Sequence, residues 1–193
     1  MSQNKVPRLA HIVYRTRKFQ EMLEWYQMVF HARVQHQNPI VAFLTFDEEH
    51  HRLALLDLGV IQPDGEDPEQ RGLVGVEHIA YTYQSLDDLF ENYTRLKSKN
   101  ILPYWCIHHG LTISMYYADP DGNQSELQVD SFATAEACNE YICGPEFGVN
   151  PVGVEFDPED WIKQVREGKS FSDFLVRKVH EPVSPIRGAL GAI

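Results

Sequence analysis

The residues from Ala10 to Tyr26 return, at a constant offset of 67 positions, as the residues from Glu77 to Tyr93. His11-Ile12-Val13-Tyr14 recurs as His78-Ile79-Ala80-Tyr81. Phe19, Met22, Leu23, Glu24 and Tyr26 recur as Leu86, Leu89, Phe90, Glu91 and Tyr93. An echo of this kind means that one supersecondary unit is used twice. It confines the chain to folds built from two like modules. It also lets two histidines face each other across a pseudo-twofold axis, which makes the chain a candidate metal protein.

Each copy reads as strand, helix, strands. Leu9 to Tyr14 is apolar and β-branched, hence a strand. After Thr16, the apolar residues Phe19, Met22, Leu23, Tyr26 and Phe30 fall at helical spacing. Strands are expected near Ala32–His36, over Val41–Phe46 and over Arg52–Asp57, with a polar turn at Asp47-Glu48-Glu49-His50. Residues 59–74 hold Pro63, Gly65, Pro68 and Gly72 among acids and read as a solvated linker. Copy two has a strand from Val76 through Tyr81 and a helix over Leu86–Lys99. Strands follow over Ile101–Ile107, Thr112–Tyr117 and Gln124–Val129, the last entered through the turn Asp119-Pro120-Asp121-Gly122-Asn123. Beyond Asp130 the repeat has no counterpart. Helices are expected over Thr134–Tyr141 and Asp160–Glu167, and the last dozen residues read as a loosely held tail.

At 193 residues the chain can bury a sizeable core. Its 28 acidic residues against 17 basic ones give a net charge of −11, which leaves no basic stripe for nucleic acid. Cys106, Cys138 and Cys143 form neither a metal-type CxxC spacing nor an even disulfide set, so a reducing, cytoplasmic setting is expected. No signal-type leader or membrane-spanning apolar window is read, and no membrane partner is expected.

Three residues stand at matched strand positions: His11, His78 and Glu126. Two imidazoles and a carboxylate on a β-framework make a facial triad that leaves the opposite face of a divalent metal open. The stretch of copy one that corresponds to the Glu126 strand is Arg52-Leu53-Ala54-Leu55-Leu56, which offers no fourth carboxylate. One strand histidine is more often a hydrogen-bonded structural residue than a ligand. Two at the same point of both copies, with a glutamate on a strand otherwise apolar at Leu127 and Val129, favour the metal, because histidine is costly as mere packing.

These modules resemble the vicinal oxygen chelate superfamily, whose paired βαβββ units share a metal. The run from His109 through Tyr116 and Asp119-Pro120-Asp121-Gly122-Asn123 to Glu126 resembles the type I extradiol ring-cleavage dioxygenase signature. His50-His51-Arg52-Leu53-Ala54 resembles the His-His-x-Leu-Ala element of the same enzymes. The resemblance implies an α+β fold, the glyoxalase/bleomycin resistance/dioxygenase fold, with the two modules pairing into one metal-binding sheet cleft and a C-terminal helical tail. It covers residues 7–130 and implies a chelate domain over 1–130, with module one at 7–58 and module two at 75–130. Residues 131–193 form an extension that packs on the domain or on a partner subunit. The better-studied extradiol enzymes have two such domains, so this chain resembles a single-domain member.

The resemblance further implies Fe(II), with Mn(II) as the alternative, held by His11, His78 and Glu126. His51 is the acid/base that takes a catechol proton, His109 serves bound oxygen, and Tyr116 hydrogen-bonds a substrate oxygen. The short spacer before Tyr116 leaves His108 as the alternative to His109. The implied activity inserts both atoms of O2 into a catecholic ring, biphenyl-2,3-diol-like or otherwise substituted, with meta cleavage. Tyr104, Trp105, Tyr117 and Phe132 are expected as aromatic pocket walls that favour an aryl-substituted ring. The apolar content of residues 131–165 leads to the expectation of a homo-oligomer. Two other readings are a glyoxalase-like metal-dependent lyase or isomerase and a metal-free aromatic-ligand binding protein.

Overall fold

Both copies of the repeat fold to the same strand order. A computed structural model describes residues 11–48, 51–61, 63, 76, 78–177 and 181–188. It divides into two compact units, Met1–Arg71 and Gly72–Ile193.

In the first unit, β1 (Ile12–Thr16) leads into α1 (Phe19–Phe30), then β2 (Arg33–Gln37), β3 (Val41–Thr45), β4 (Leu53–Asp57) and the short α2 (Leu58–Ile61). Of the residues read at helical spacing, Met22, Leu23 and Tyr26 are buried and Phe19 and Phe30 half-buried, while Trp25 and Val29 complete the buried face of α1. His31, in the left-handed region at φ 51°, ends the helix and turns the chain into β2. The sheet runs β1-β4-β3-β2, with β1 parallel to β4 and the other pairs antiparallel. The start of the expected linker is the helix α2. Apart from Pro63 and Val76, residues 62–77 lie outside the described part, as do Leu9, Ala10, Glu49 and His50.

The second unit repeats this plan with β5 (His78–Thr82), α3 (Leu86–Lys97), β6 (Trp105–His108), β7 (Thr112–Ala118) and β8 (Gln124–Asp130). Its sheet runs β5-β8-β7-β6, again with the first pair parallel. Ser85 caps α3 by accepting the Asp88 N–H at 3.1 Å. Asp87 and Asp88 in the first turn and Arg95 and Lys97 in the last suit the helix dipole. Leu86, Leu89, Phe90, Tyr93 and Leu96 form the buried face of α3. Ile113, Met115, Tyr117, Leu127 and Val129 are buried on the alternate positions of β7 and β8. Each fully buried aliphatic side chain of this kind contributes about 1.5–3 kcal/mol. The expected strand over Ile101–Ile107 begins only at Trp105. Pro103 lacks the N–H that a ladder needs, and the chain pairs only from Tyr104 onward.

Residues beyond Asp130 pack on this second unit. They form α4 (Ala135–Ile142), α5 (Pro145–Val149), β9 (Val154–Glu155) and α6 (Pro158–Arg166), then a 3-10 turn at Phe171–Phe174. β9 adds a fifth strand beside β6. On α6, Glu159 accepts bonds from Tyr93 and Lys97 of α3. Trp161 stacks between Phe156, at 4.2 Å, and Phe174, at 4.7 Å. The part of the terminal tail that is described is held rather than loose. Ser184 donates its backbone N–H to Gly153 and Arg187 pairs with Glu155 at 2.7 Å.

Candidate active site

In the first unit, two of the expected residues come side by side. His11 lies immediately before β1 and is exposed. Its ring is 4.4 Å from that of His51, which in turn meets the edge of Phe43 at 5.0 Å. Val13 on β1 is paired with Ala54 on β4. In the second unit, Ala80 on β5 is paired with Glu126 on β8. Ala80 is the repeat partner of Val13, so Ala54 stands where Glu126 stands. At this matched position the second module thus carries a carboxylate and the first an alanine.

The second unit gathers the remaining four. His78 opens β5, and its Nε2 is 3.0 Å from Oε2 of Glu126. Tyr116 on β7 is paired with Glu126 across the ladder, so both side chains share one face of the sheet. His109, in the turn after β6, places Nε2 3.1 Å from the Tyr116 hydroxyl and 3.8 Å from Oε1 of Glu126. Trp105 and Ile107 back the Tyr116 ring from the same face.

Glu126 is buried, and burial alone would raise its pKa. Hydrogen bonds from His78 and Ser114, with the imidazole of His109 nearby, outweigh that and hold the carboxyl below its ordinary range. Burial pushes the His109 pKa down, so the ring is neutral near pH 7. Among the described residues, the basic side chains within 4 Å of the Glu126 carboxyl are two imidazoles, with no lysine or arginine. A buried carboxylate facing two imidazoles, with no lysine or arginine beside it among the described residues, fits a divalent metal. Among the described residues, no group of three or more His, Cys, Asp or Glu is closed enough to hold an ion by itself. His78 and Glu126 are two such donors at one place.

His108 and His109 point to opposite faces of the sheet. His108 is buried beside Trp161 of α6, where desolvation and the charge of Arg177 push its pKa down to about 4. Only His109 reaches Tyr116 and Glu126.

A cavity of about 360 Å³ opens in front of these residues. His109, Thr112, Tyr116, Glu126, Gln128 and Asp130 line one side, and Ala135, Cys138 and Asn139 of α4 line the other. The four aromatic residues expected as its walls are elsewhere. Tyr117 is buried on the opposite face of β7 from Tyr116, because successive strand residues alternate. Trp105 packs behind Tyr116 and donates its indole N–H to Ser184 at 3.0 Å. Tyr104 donates to Gln124 at 2.7 Å, and Phe132 packs on Tyr141. The far wall of the cavity is therefore α4, small and polar where aromatics were expected.

Sequence reasoning also missed the residues that hold His109. Its Nδ1 donates to the carbonyl of Val152, and Arg177 donates to the carbonyl of His109 at 3.0 Å. Nothing in the sequence couples Arg177 to a histidine 68 positions away.

The model of the Glyoxalase/Bleomycin resistance protein/Dioxygenase superfamily matches residues 8–127. The chain belongs to this superfamily. A superfamily relative from Rhodococcus globerulus, biphenyl-2,3-diol 1,2-dioxygenase 2, is 48% identical over 152 residues, covering 79% of this chain and 78% of its own. Biphenyl-2,3-diol 1,2-dioxygenase 3 from the same organism is 41% identical over 172 residues, covering 89% and 88%. Two solved structures share the fold at low identity. A glyoxalase/bleomycin resistance protein/dioxygenase from Nocardioides superposes with a TM-score of 0.51 at 17% identity, covering 67% of this chain and 87% of its own. The fosfomycin resistance protein FosX from Listeria monocytogenes gives 0.51 at 19% identity, covering 68% and 98%. The second relative extends well past the 120-residue module pair, so its likeness to this chain includes part of the extension.

Proposed function

We propose that this chain is an extradiol ring-cleavage dioxygenase that inserts both atoms of O2 into a catechol, biphenyl-2,3-diol-like or otherwise substituted. The observation that carries the reading is the Glu126 cluster, one ionised carboxylate between His78 and the Tyr116–His109 pair, at the mouth of a cavity. Two relatives at 41–48% identity that are named for this reaction support it.

In this reading His78 and Glu126, joined by His11 of the first module, hold Fe(II), with Mn(II) the alternative. A metal held there would bind the catechol and activate dioxygen. The protein supplies the rest. Glu126 contributes one negative charge; before metal binds, His78 and Ser114 donate to it and keep it ionised, and Ser114 still donates once His78 turns to the metal. Tyr116 presents its hydroxyl on the cavity side, where it can donate to a substrate oxygen or to His109. Neutral His109 holds a lone pair at Nε2 and can take and return one proton at that atom. His51, beside His11, takes the proton of the second catechol hydroxyl.

The pairing of the two modules into one cleft, a homo-oligomeric assembly and a cytoplasmic setting belong to the same proposal. No helix among the described residues is long and apolar enough to cross a membrane. Oxygen uptake tests the proposal directly. Under Fe(II) the protein should consume one O2 per catechol and yield a yellow ring-fission product. Turnover of a hemithioacetal without oxygen would support a lyase instead, and tight catechol binding without either reaction would support a binding protein.

A further inference from the structure

His109 is held by two stretches of chain that lie far from it in sequence, the turn at 150–153 and Arg177. Its Nδ1 meets the carbonyl oxygen of Val152. A carbonyl only accepts, so Nδ1 carries hydrogen whatever the charge of the ring. The neutral ring then keeps its lone pair at Nε2, 3.1 Å from the Tyr116 hydroxyl and 3.8 Å from Glu126 Oε1.

The acceptor is itself clamped. Asn150 closes the turn around Val152 by accepting the Gly153 N–H at 2.7 Å and donating to the Gly153 carbonyl at 3.1 Å. Gly153 sits at φ +124°, and a Cβ there would lie 2.6 Å from the carbonyl oxygen of His108. Arg177 adds a cross-link from beyond α6. Its Nη1 donates to the carbonyl of His109 at 3.0 Å and to that of Asn150 at 2.7 Å. One nitrogen thus ties the backbone of the histidine to the turn that carries the histidine's acceptor. Arg177 is 8% exposed, and no carboxylate among the described residues pairs with it. Burying a guanidinium on two carbonyls is costly where a surface position would cost nothing.

We infer that Asn150 and Arg177 are positioning residues for ring cleavage, which fix His109 as its Nδ1–H tautomer and aim Nε2 at Tyr116 and Glu126. The C-terminal extension is therefore part of the acid/base apparatus, beyond its packing role. This rests on the reading of His109 given above.

The test uses the full chain labelled with 15N-histidine, metal-free and loaded with diamagnetic Zn(II), with His109→Gln assigning the signals. The native protein should show a pyrrole-type Nδ1 and a pyridine-type Nε2 for His109. Arg177→Gln and Asn150→Asp should each give a mixture of tautomers. In the iron enzyme each should lower kcat by about 10- to 100-fold with KM changed little, as expected when a reacting group is misplaced. Arg177→Lys, which keeps a donor, should restore part of both signals. A native spectrum of the Nε2–H type overturns the inference. So does a folded Arg177→Gln or Asn150→Asp protein that keeps the native tautomer, even if it is less stable, because its role is then structural only. A His109→Gln enzyme with native kcat would instead remove the functional role of His109, while the tautomer spectrum still tests the clamp by itself.

Discussion

Gly153→Ala should destabilise the second unit sharply, while Gly148→Ala, five residues earlier, should not. The added methyl at position 153 meets two obstacles. The backbone there has φ +124°, a region L-residues avoid at a cost of about 1–3 kcal/mol. The methyl carbon would also sit 2.6 Å from the His108 oxygen, 3.0 Å from the His108 carbonyl carbon and 2.9 Å from Ile107 Cγ1. Two of these three atoms are backbone of β6, which is paired with both β7 and β9 and cannot step aside. Relieving such an overlap costs a further ~1–3 kcal/mol. Loss of chain entropy in the unfolded state returns only about 0.4–1 kcal/mol. The net loss is therefore about 2–5 kcal/mol. For a chain of this size each kcal/mol moves Tm by about 2–4 °C, so a fall of roughly 4–20 °C is expected. At Gly148, in α5, nothing lies within 4 Å of the added methyl and the backbone conformation is ordinary, so alanine there should be neutral or slightly stabilising. Thermal unfolding followed by circular dichroism reads both variants. If Gly153→Ala melts within about 1 °C of native, with Gly148→Ala alongside, the close approach of residues 150–153 to β6 is wrong.

His11→Ala, His78→Ala and Glu126→Ala should each lose bound iron and activity while the far-ultraviolet spectrum persists; full metal content in any one removes that residue from the site. His51→Gln and His109→Gln should keep the iron and slow turnover by about 10²–10⁴-fold, the usual scale for a lost proton transfer, and native turnover in either would withdraw its role. His108, whose pKa falls from an ordinary 6.5 to about 4 on folding, binds its proton better when unfolded, so its contribution is whole above about pH 6.5 and is lost as the pH falls toward 4. That is on the order of 3 kcal/mol, and urea titrations of the metal-free chain between pH 7 and 4 should show a flatter pH dependence for His108→Gln. Asn139→Trp, on the α4 wall, should raise KM for an aryl-substituted catechol well above its effect on unsubstituted catechol; equal effects would mean that α4 does not face the ring substituent.

Much of this protein is written in the sequence because its fold is made of local signals repeated. The 67-residue echo corresponds to one strand order used twice, and the helical spacing of α1 and α3 gives their buried faces. The Asp119-to-Asn123 turn sets β7 against β8 and brings Tyr116 opposite Glu126. Periodicity, turn chemistry and register are properties of neighbouring residues, so neighbours suffice to read them. The choice between His108 and His109 was not so determined. Adjacent residues at a strand end point to opposite sides, and only the packing of Trp161 on one face and Glu126 on the other says which is which. The pocket walls also depended on long-range contact. Four aromatics near the motif in sequence pack into the core or against the tail, while α4, with no aromatic lining residue, covers the cavity. The clamp on His109 is the farthest of all from local reading. Arg177 acts through a carbonyl 68 residues away, and a backbone carbonyl carries no trace in the sequence. A side chain's chemistry can be read from its letter, but its tautomer depends on which oxygen the fold brings to it.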